Sequence, residues 1–306
     1  MQIRGSFPNF FDTTMLPAIT GRVVQTFERA RRVGDSLLPD ESTTKSIIQK
    51  AMIAGVGLPH LVQEGADTDT DTFVSLPSKT FRPLKYGLGI GASRELVEDD
   101  EFGIINQRSD MLGDSISESI EIQRASVLNN AFDATNFPGP DAKALCSLTH
   151  PAYKSGGNRV NLLAVAADLD QASLELALID WENMVDHRGF FQTLPDPSLV
   201  VATANRFNAY EITKSDMRSD TANNATNALR YSEGGRIEPI VWKYLTDPDA
   251  WFLVAPGRNH MLWVWRKKPY TSKDYWEKTE TGVVYYRYRA DFGFYGDFGI
   301  YGTPGA

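Results

Sequence analysis

The sequence predicts an α+β fold in which one very long helix lies across a β-sheet. Three observations carry that expectation. From Gly103 to Phe132 the apolar residues Ile104, Ile105, Met111, Leu112, Ile116, Ile120, Val127, Leu128 and Ala131 recur at helical spacing, with no proline among them. From Lys79 to Ala92, and again from Val284 to Phe294, residues alternate with the period of two that marks a strand. Between these stretches, residues 169–214 read as helix, short buried strand, helix. A helix of about 28 residues would be roughly 40 Å long, where globular helices average ~11–12 residues. Without a heptad repeat to pair it with another helix, such a strut needs a sheet to lie on.

Taken in order, residues 1–19 hold Pro8, Pro17 and the exposed-looking Phe7, Phe10 and Phe11 without a clear period, and read as an arm outside the core. Arg22–Val33 reads as a helix with Val23, Val24, Phe27 and Ala30 on one face and Arg29, Arg31 and Arg32 around it. Those arginines are candidates for touching an acidic neighbour, against the plainer reading of a solvated face. Residues 43–65 read as strand with turns at Gly55, Gly57 and Pro59, and lead to a polar tip carrying Glu64, Asp67, Asp69 and Asp71. The Asp-x-Asp-x-Asp spacing is that of a calcium loop, but Thr72 stands where glycine is needed and Ser78 where glutamate is needed. In the next strand Leu84, Tyr86, Leu88, Ile90 and Ala92 share one face, and Lys85, Gly87, Gly89 and Gly91 the other. Three successive missing Cβ atoms let a backbone or side chain approach closely. The glycine spacing is not that of a phosphate loop.

The acids Glu98, Asp99, Asp100 and Glu101 precede the long helix, where its N-terminus would favour negative charge. Gly113 reads as a mild defect costing about 1 kcal/mol relative to alanine. Asn136–Pro140 breaks the chain, and a second helix is expected from Leu169 to about His187, capped by Asp168 or Asp170, stopped at Gly189 and largely buried. Ser198–Ala202 reads as a buried strand, Ala204–Lys214 as a helix, and residues 215–235 as a long exposed loop rich in Asn, Asp and Thr. Ile237–Tyr244, Ala250–Ala255 and His260–Arg266 read as strands. The last strand sets Val284, Tyr286, Tyr288, Ala290, Phe292 and Phe294 against Arg287, Arg289 and Asp291.

Composition narrows the function. A hydrophobic content of 42% with 11% aromatics supports a packed core, and a net charge of −8 argues against a nucleic-acid reader. The single cysteine, Cys146, suits a reducing compartment. No signal-like apolar segment opens the chain, and no run of ~18–20 apolar residues would span a membrane. His60, His150, His187 and His260 are scattered, with no His-Glu-x-x-His and no Gly-x-Ser-x-Gly elbow. No catalytic residue, metal or cofactor is expected.

Three strings, in this order, resemble the major capsid proteins of tailed bacteriophages, with the Hong Kong 97 fold. The first is Lys85-Tyr-Gly-Leu-Gly-Ile-Gly-Ala-Ser93-Arg-Glu95-Leu-Val-Glu-Asp-Asp100, similar to the strand that returns from the family's extended loop into its spine helix. The second is Leu169-x-x-Ala172-x-x-x-Leu176 followed by Pro197-Ser-Leu-Val-Val201 and the helix through Ala209. The third is Ile240-Val-Trp242-x-x-Leu245-x-Asp247-x-x-Ala250-Trp-Phe-Leu-Val254. The resemblance implies an N-terminal arm over 1–42, an extended loop over 43–92, a peripheral domain over 93–140 and 265–306, and an axial domain over 141–264. It also implies a structural protein that assembles with itself, as pentamers and hexamers, into an icosahedral head around double-stranded DNA. Implied partners are a scaffold, a portal and a decoration protein, with only weak non-specific contact to packaged DNA, no membrane, and assembly in the bacterial host cytoplasm. The chain lacks a long N-terminal scaffolding segment before the arm, which implies a separate scaffold or none. Some members cross-link a loop lysine to a neighbour's asparagine; Lys79 and Lys85 are in position, but no motif marks the asparagine. Interface candidates are Asp67, Asp69, Asp71, Lys85, Gly87, Gly89, Gly91, Arg29, Arg31 and Arg32. Two rivals are an encapsulin-type nanocompartment shell and, from a different class, a carbohydrate-active enzyme using paired carboxylates.

Overall fold

A computed structural model of the chain describes residues 7–65, 67–68, 70–72, 75–99, 103–153, 155–217, 226–231 and 237–306. The arm is helical: α1 (Phe7–Phe10) runs through a π-helical turn at Phe11–Met15 into α2 (Leu16–Arg29). Phe7, Phe10, Phe11, Met15, Ile19 and Val23 are buried, which corrects the reading of exposed aromatics outside the core. Most of these positions are spaced by four because the π turn stretches the ordinary helical period, so a search at 3.6 misses the stripe. α3 (Gly34–Leu37) and β1 (Asp40–Ser42) follow. β2 (Ile48–Ile53) and β3 (Ser75–Phe81) form an antiparallel ribbon, and β4 (Leu84–Ser93) leaves it for a larger sheet.

Ser93 caps α4 (Arg94–Glu98), which precedes the strut α5 (Ile104–Asn129). The strut is continuous, as its apolar stripe predicts. Its start differs: no acid lies in its first turn, and the N-cap is Gly103 at φ 66°. Glu98 instead closes α4 and pairs with Arg94 at 3.0 Å, while Asp100 and Glu101 lie outside the described residues. Gly113 is no defect either. A Cβ there would sit 2.8 Å from the Val23 carbonyl oxygen and 2.9 Å from Thr26 Cβ, so glycine is what lets α2 cross α5 closely.

β5 (His150–Pro151) and β6 (Asn158–Arg159) are a short pair leading to α6 (Gln171–Glu182), β7 (Ser198–Val201) and α7 (Arg206–Lys214). α8 (Ala228–Tyr231), β8 (Glu238–Val241), β9 (Trp251–Val254), β10 (Met261–Trp276), β11 (Thr281–Phe294) and β12 (Ile300–Thr303) complete the chain. The first sheet has the order β1-β10-β11-β4, antiparallel except for β1 on β10. The second has the order β12-β9-β7-β8, with β7 and β8 parallel. Trp251 and Leu253 of β9 pack with Leu174, Trp181 and Ile212, while Phe252 and Val254 face the core beneath α5, where Phe132 stacks on Phe252 at 5.5 Å. Burial on both faces explains why β7 and β9 read as continuous apolar runs.

Four readings change. Asp170 caps α6 in a capping box with Ser173, but the helix ends at Glu182, where Asn183 bonds back to the Ile179 carbonyl. Its outer residues Leu176 and Ile179 are about half exposed, at 56% and 55%, so the helix is not largely buried. β10 runs ten residues past Arg266, because bulges between Trp265 and Tyr270 break the alternation a sequence scan relies on. β12, expected with the peripheral domain, pairs with β9 instead. Most of the 215–235 loop lies outside the described residues, and its described part holds α8 with Asn227 and Leu229 buried.

Candidate functional surfaces

The ribbon is rooted in its own subunit. Met52, Ala54 and Leu76 pack with Tyr295, and Phe81 packs with Leu262 and Val264. Beyond the root, Asp71 accepts a bond from the Gly57 amide at 2.8 Å and pairs with Arg188 at 2.6 Å. Those two contacts, the amide first, hold its carboxyl below the usual range. The extended loop is therefore tied back at Asp71, because its acid finds a nearly buried arginine inside the subunit. Asp67 is exposed and accepts a bond from the adjacent Thr68 amide, and Asp69 lies outside the described residues. Val56, Leu58 and Leu61, flanking and following Asp71's anchor at Gly57, are 71%, 70% and 93% exposed. Apolar side chains grouped like this in a single loop mark a contact surface.

The glycine face of β4 is filled from within the chain. Gly87 pairs with Arg287 and Gly89 with Tyr285 on β11. A Cβ on Gly89 would lie 2.5 Å from Tyr285 Cδ1, and one on Gly87 2.7 Å from Arg287 Cγ. Arg287 lies over the Tyr285 ring at 4.3 Å, so the two side chains roof the glycines together. On the same face Lys85 pairs with Arg289, and Arg289 with Lys267, placing three cations abreast across three strands. Among the described residues none of the three reaches a carboxylate within ion-pair distance.

The arginines separate by role. Arg32 is half-buried, stacks over Phe27 at 4.3 Å and pairs with Asp35 at 2.9 Å, so it serves the arm's own fold. Arg29 and Arg31 are exposed, and Arg31 lines a cleft of about 690 Å³ shared with Glu118, Arg206, Tyr210 and Lys243.

Two buried polar groups escaped the sequence reading. Arg124 of α5 is fully buried, pairs with Asp35 and, at 2.7 Å, with Asp40, and lies over the Trp263 ring at 4.9 Å. Glu121 accepts bonds from the Gly34 amide at 3.0 Å and Trp242 Nε1 at 2.9 Å; burial pushes its carboxyl up. The signal was present, since Glu121 and Arg124 interrupt the apolar stripe beside Ile120. The second group gathers three of the four histidines. His150 bonds Asp141 at 2.7 Å, while His187 and His260 line a cavity with Arg159 and Asp297. They lie far apart in sequence, so no spacing rule finds them. Cys146 is buried, and burial raises its thiol far above the reactive range.

A family model described as phage capsid protein matches residues 77–301. The capsid of the cyanophage P-SCSP1u is similar at a TM-score of 0.61 and 10% identity, over 91% of this chain and 89% of that one. The capsid of a native GTA particle is similar at 0.57 and 12% identity, over 90% and 91%. A virus-like particle from Pyrococcus furiosus gives 0.56 and 8% identity, over 94% and 98%. At these identities the likeness is one of fold. No curated protein matches the chain.

Proposed function

We propose how these surfaces are used from one premise: the chain belongs to the phage capsid protein family. It is a structural shell protein of Hong Kong 97 type, an α+β subunit that assembles with itself into the icosahedral capsid of a virion. On our reading the arm through residue 42 lies along α5, and residues 43–92 are the extended loop, whose last strand, β4, joins the first sheet. The first sheet with α5 is the peripheral domain, and the second sheet with α6 and α7 is the axial domain. Val56, Leu58 and Leu61 of the loop, and Leu176, Ile179 and Phe207 of the axial helices, are covered by neighbouring copies in pentamers and hexamers. Asp67, Arg29, Arg31 and Lys85 rim those contacts. Scaffold, portal and decoration proteins are the further partners, assembly takes place in the host cytoplasm, and the subunit catalyses no reaction. An acidic subunit touches packaged DNA only weakly, since each neutralised phosphate would add affinity that hinders DNA entry and exit.

The observation that supports this most is the grouping of exposed apolar side chains on the loop and on α6 and α7, where the subunit gives them no cover. Negative-stain microscopy of the expressed chain tests it. Closed particles or rings of five and six are expected. A chain that stays monomeric at high concentration, with Leu58→Ser and Phe207→Ser changing nothing, overturns the assignment.

A further inference from the structure

The cavity of about 350 Å³ at the root of the ribbon is lined by Arg159, His187, Gln192, His260, Asp297 and Met52. Arg159 and Asp297 pair through Nη1 at 2.7 Å, and both side chains are only 4% exposed. The other edge of the guanidinium, Nε and Nη2, is buried and finds no partner among the described residues. Arginine only donates, and this side-on edge is the fork that matches two oxygens of a carboxylate or a tetrahedral oxyanion. A buried donor left without an acceptor is costly, so a fork presented this way calls for one. Around it, His187 Nδ1, His260 Nδ1 and Gln192 Oε1 are also buried without partners.

The acids nearby are already occupied. Asp297 is held by Arg159, and Asp186 accepts the Arg188 and Phe190 amides at 2.8 and 3.0 Å. Arg188 pairs with Asp71, and His150 on the adjoining strand pairs with Asp141. Among the described residues, the groups of this lining left uncommitted are the arginine edge, Gln192 Oε1, His260 Nδ1 and His187 Nδ1, the His187 ring also bonding the Pro151 backbone.

We propose that the Arg159 side-on edge is the floor of a small oxyanion site, with His187 and His260 completing the donor set as they take up protons. Burial lowers His187 and pushes His260 down to about 4, with Arg159 adding to both, so both rings are neutral near pH 7. An oxyanion seated against them favours their charged forms, and by linkage each proton taken up tightens the anion. Affinity therefore rises as pH falls. The site joins Met52 of the ribbon to the turn after α6, so an occupying anion also fastens the ribbon root.

Inorganic sulfate keeps its charge across the relevant range and serves as probe, titrated calorimetrically into the full chain at constant ionic strength, with chloride and acetate as comparison arms. One equivalent of sulfate is expected to bind, more tightly at about pH 6 than at about pH 8. Arg159→Lys keeps the charge opposite Asp297 but loses the fork, and should weaken sulfate by roughly tenfold or more. The double variant His187→Gln/His260→Gln should keep binding and lose most of the pH dependence. Acetate binding more tightly than sulfate, with the same pH trend, supports the site and assigns it to a planar carboxylate. Absence of saturable binding at either pH overturns the proposal, leaving a cavity that holds water alone. Unchanged affinity in Arg159→Lys overturns it as well. Where that variant fails to fold, an unaltered pH profile in the double variant His187→Gln/His260→Gln does so independently.

Discussion

The two faces of the first sheet, built from the same strands, obey different rules. Toward α5 the sheet presents Val284, Tyr286, Tyr288 and Ala290, all buried, with Tyr86 stacked on Tyr288 at 5.1 Å and the Tyr288 hydroxyl 3.2 Å from Ser119 and from Gln123. The far face presents Lys85, Arg289 and Lys267 abreast, and glycines roofed by Tyr285 and Arg287. Cross-strand like charges cost stability, so the cation row does not help the subunit's own fold. One register of each strand packs under α5, while the other is divided between a patch covered by the ribbon, where Phe81 meets Leu262 and Val264, and the cation row, which we propose meets a neighbouring copy.

The sharpest way to break that comparison is to attack the folding face through the helix that covers it. Ile120, on the buried face of α5, is 1% exposed. Ile120→Asp buries a charge without a partner and should cost several kcal/mol in urea unfolding of the subunit. A loss below about 1 kcal/mol would mean that α5 can lift off the sheet, and the two faces would no longer differ in kind.

A second test uses pH, because the α5 side buries the Glu121 carboxyl and the Arg124 guanidinium. Burial raises the Glu121 carboxyl, while the Trp242 and Gly34 bonds oppose it. With a raised acid the folded state holds its proton longer. Stability is therefore lost as pH rises from the unfolded carboxyl's value, about 4.3, to the folded one, and the loss is complete above both. Glu121→Gln carries no such titration. The stability difference between wild type and variant should move across that window, against the wild type at the upper end. Charge-matched changes on the far face, such as Lys267→Arg, should show no such window. A flat difference for Glu121→Gln would remove Glu121 from the folding account.

Much of this was legible in the chain. Uninterrupted periodicity shows α5, and alternation shows β4 and β11, because in each the exposed and buried residues differ in chemistry. The arm was misread because the π turn between Phe10 and Leu16 spaces its phenylalanines outside the helical template. The far half of β10 was missed because bulges and Pro269 disturb alternation on a half-solvated strand. The Arg159 cavity was invisible for another reason. Its residues come from five segments between Met52 and Asp297, and only tertiary packing brings them together. For the candidate surface, the sequence marks Gly87 and Gly89 as unusual but cannot say whether the roof over them is Tyr285 of the same chain or a neighbour.

A double substitution decides that last point, with a smaller expected effect. Gly89→Val pushes against the Tyr285 ring, which is half-buried and can swing outward, so the subunit should lose about 1 kcal/mol. In a Tyr285→Ala background the space is open and the cost should vanish, an interaction energy readable from four denaturation curves. If the cost disappears, the glycines serve the subunit's own sheet. A cost that persists as reduced particle yield, with subunit stability intact, would instead return them to the interface.

The smallest effect on the subunit is the most telling for the far face. Lys85→Glu replaces an unfavourable pairing with Arg289 by a favourable one, and should stabilise the isolated subunit by roughly 0.2–1 kcal/mol. The gain should shrink as salt is raised, since Lys85 is exposed and Arg289 only half-buried, which leaves the pair open to screening. If the cation row is kept for an acidic surface of a neighbouring copy, the same substitution reverses one of three charges at that contact and should lower particle yield. Opposite signs in one variant, a more stable subunit and fewer particles, are what a surface maintained for assembly requires. Stability and yield rising together would show that the three cations are merely tolerated on solvated strands, and the contrast between the two faces would then reduce to burial alone.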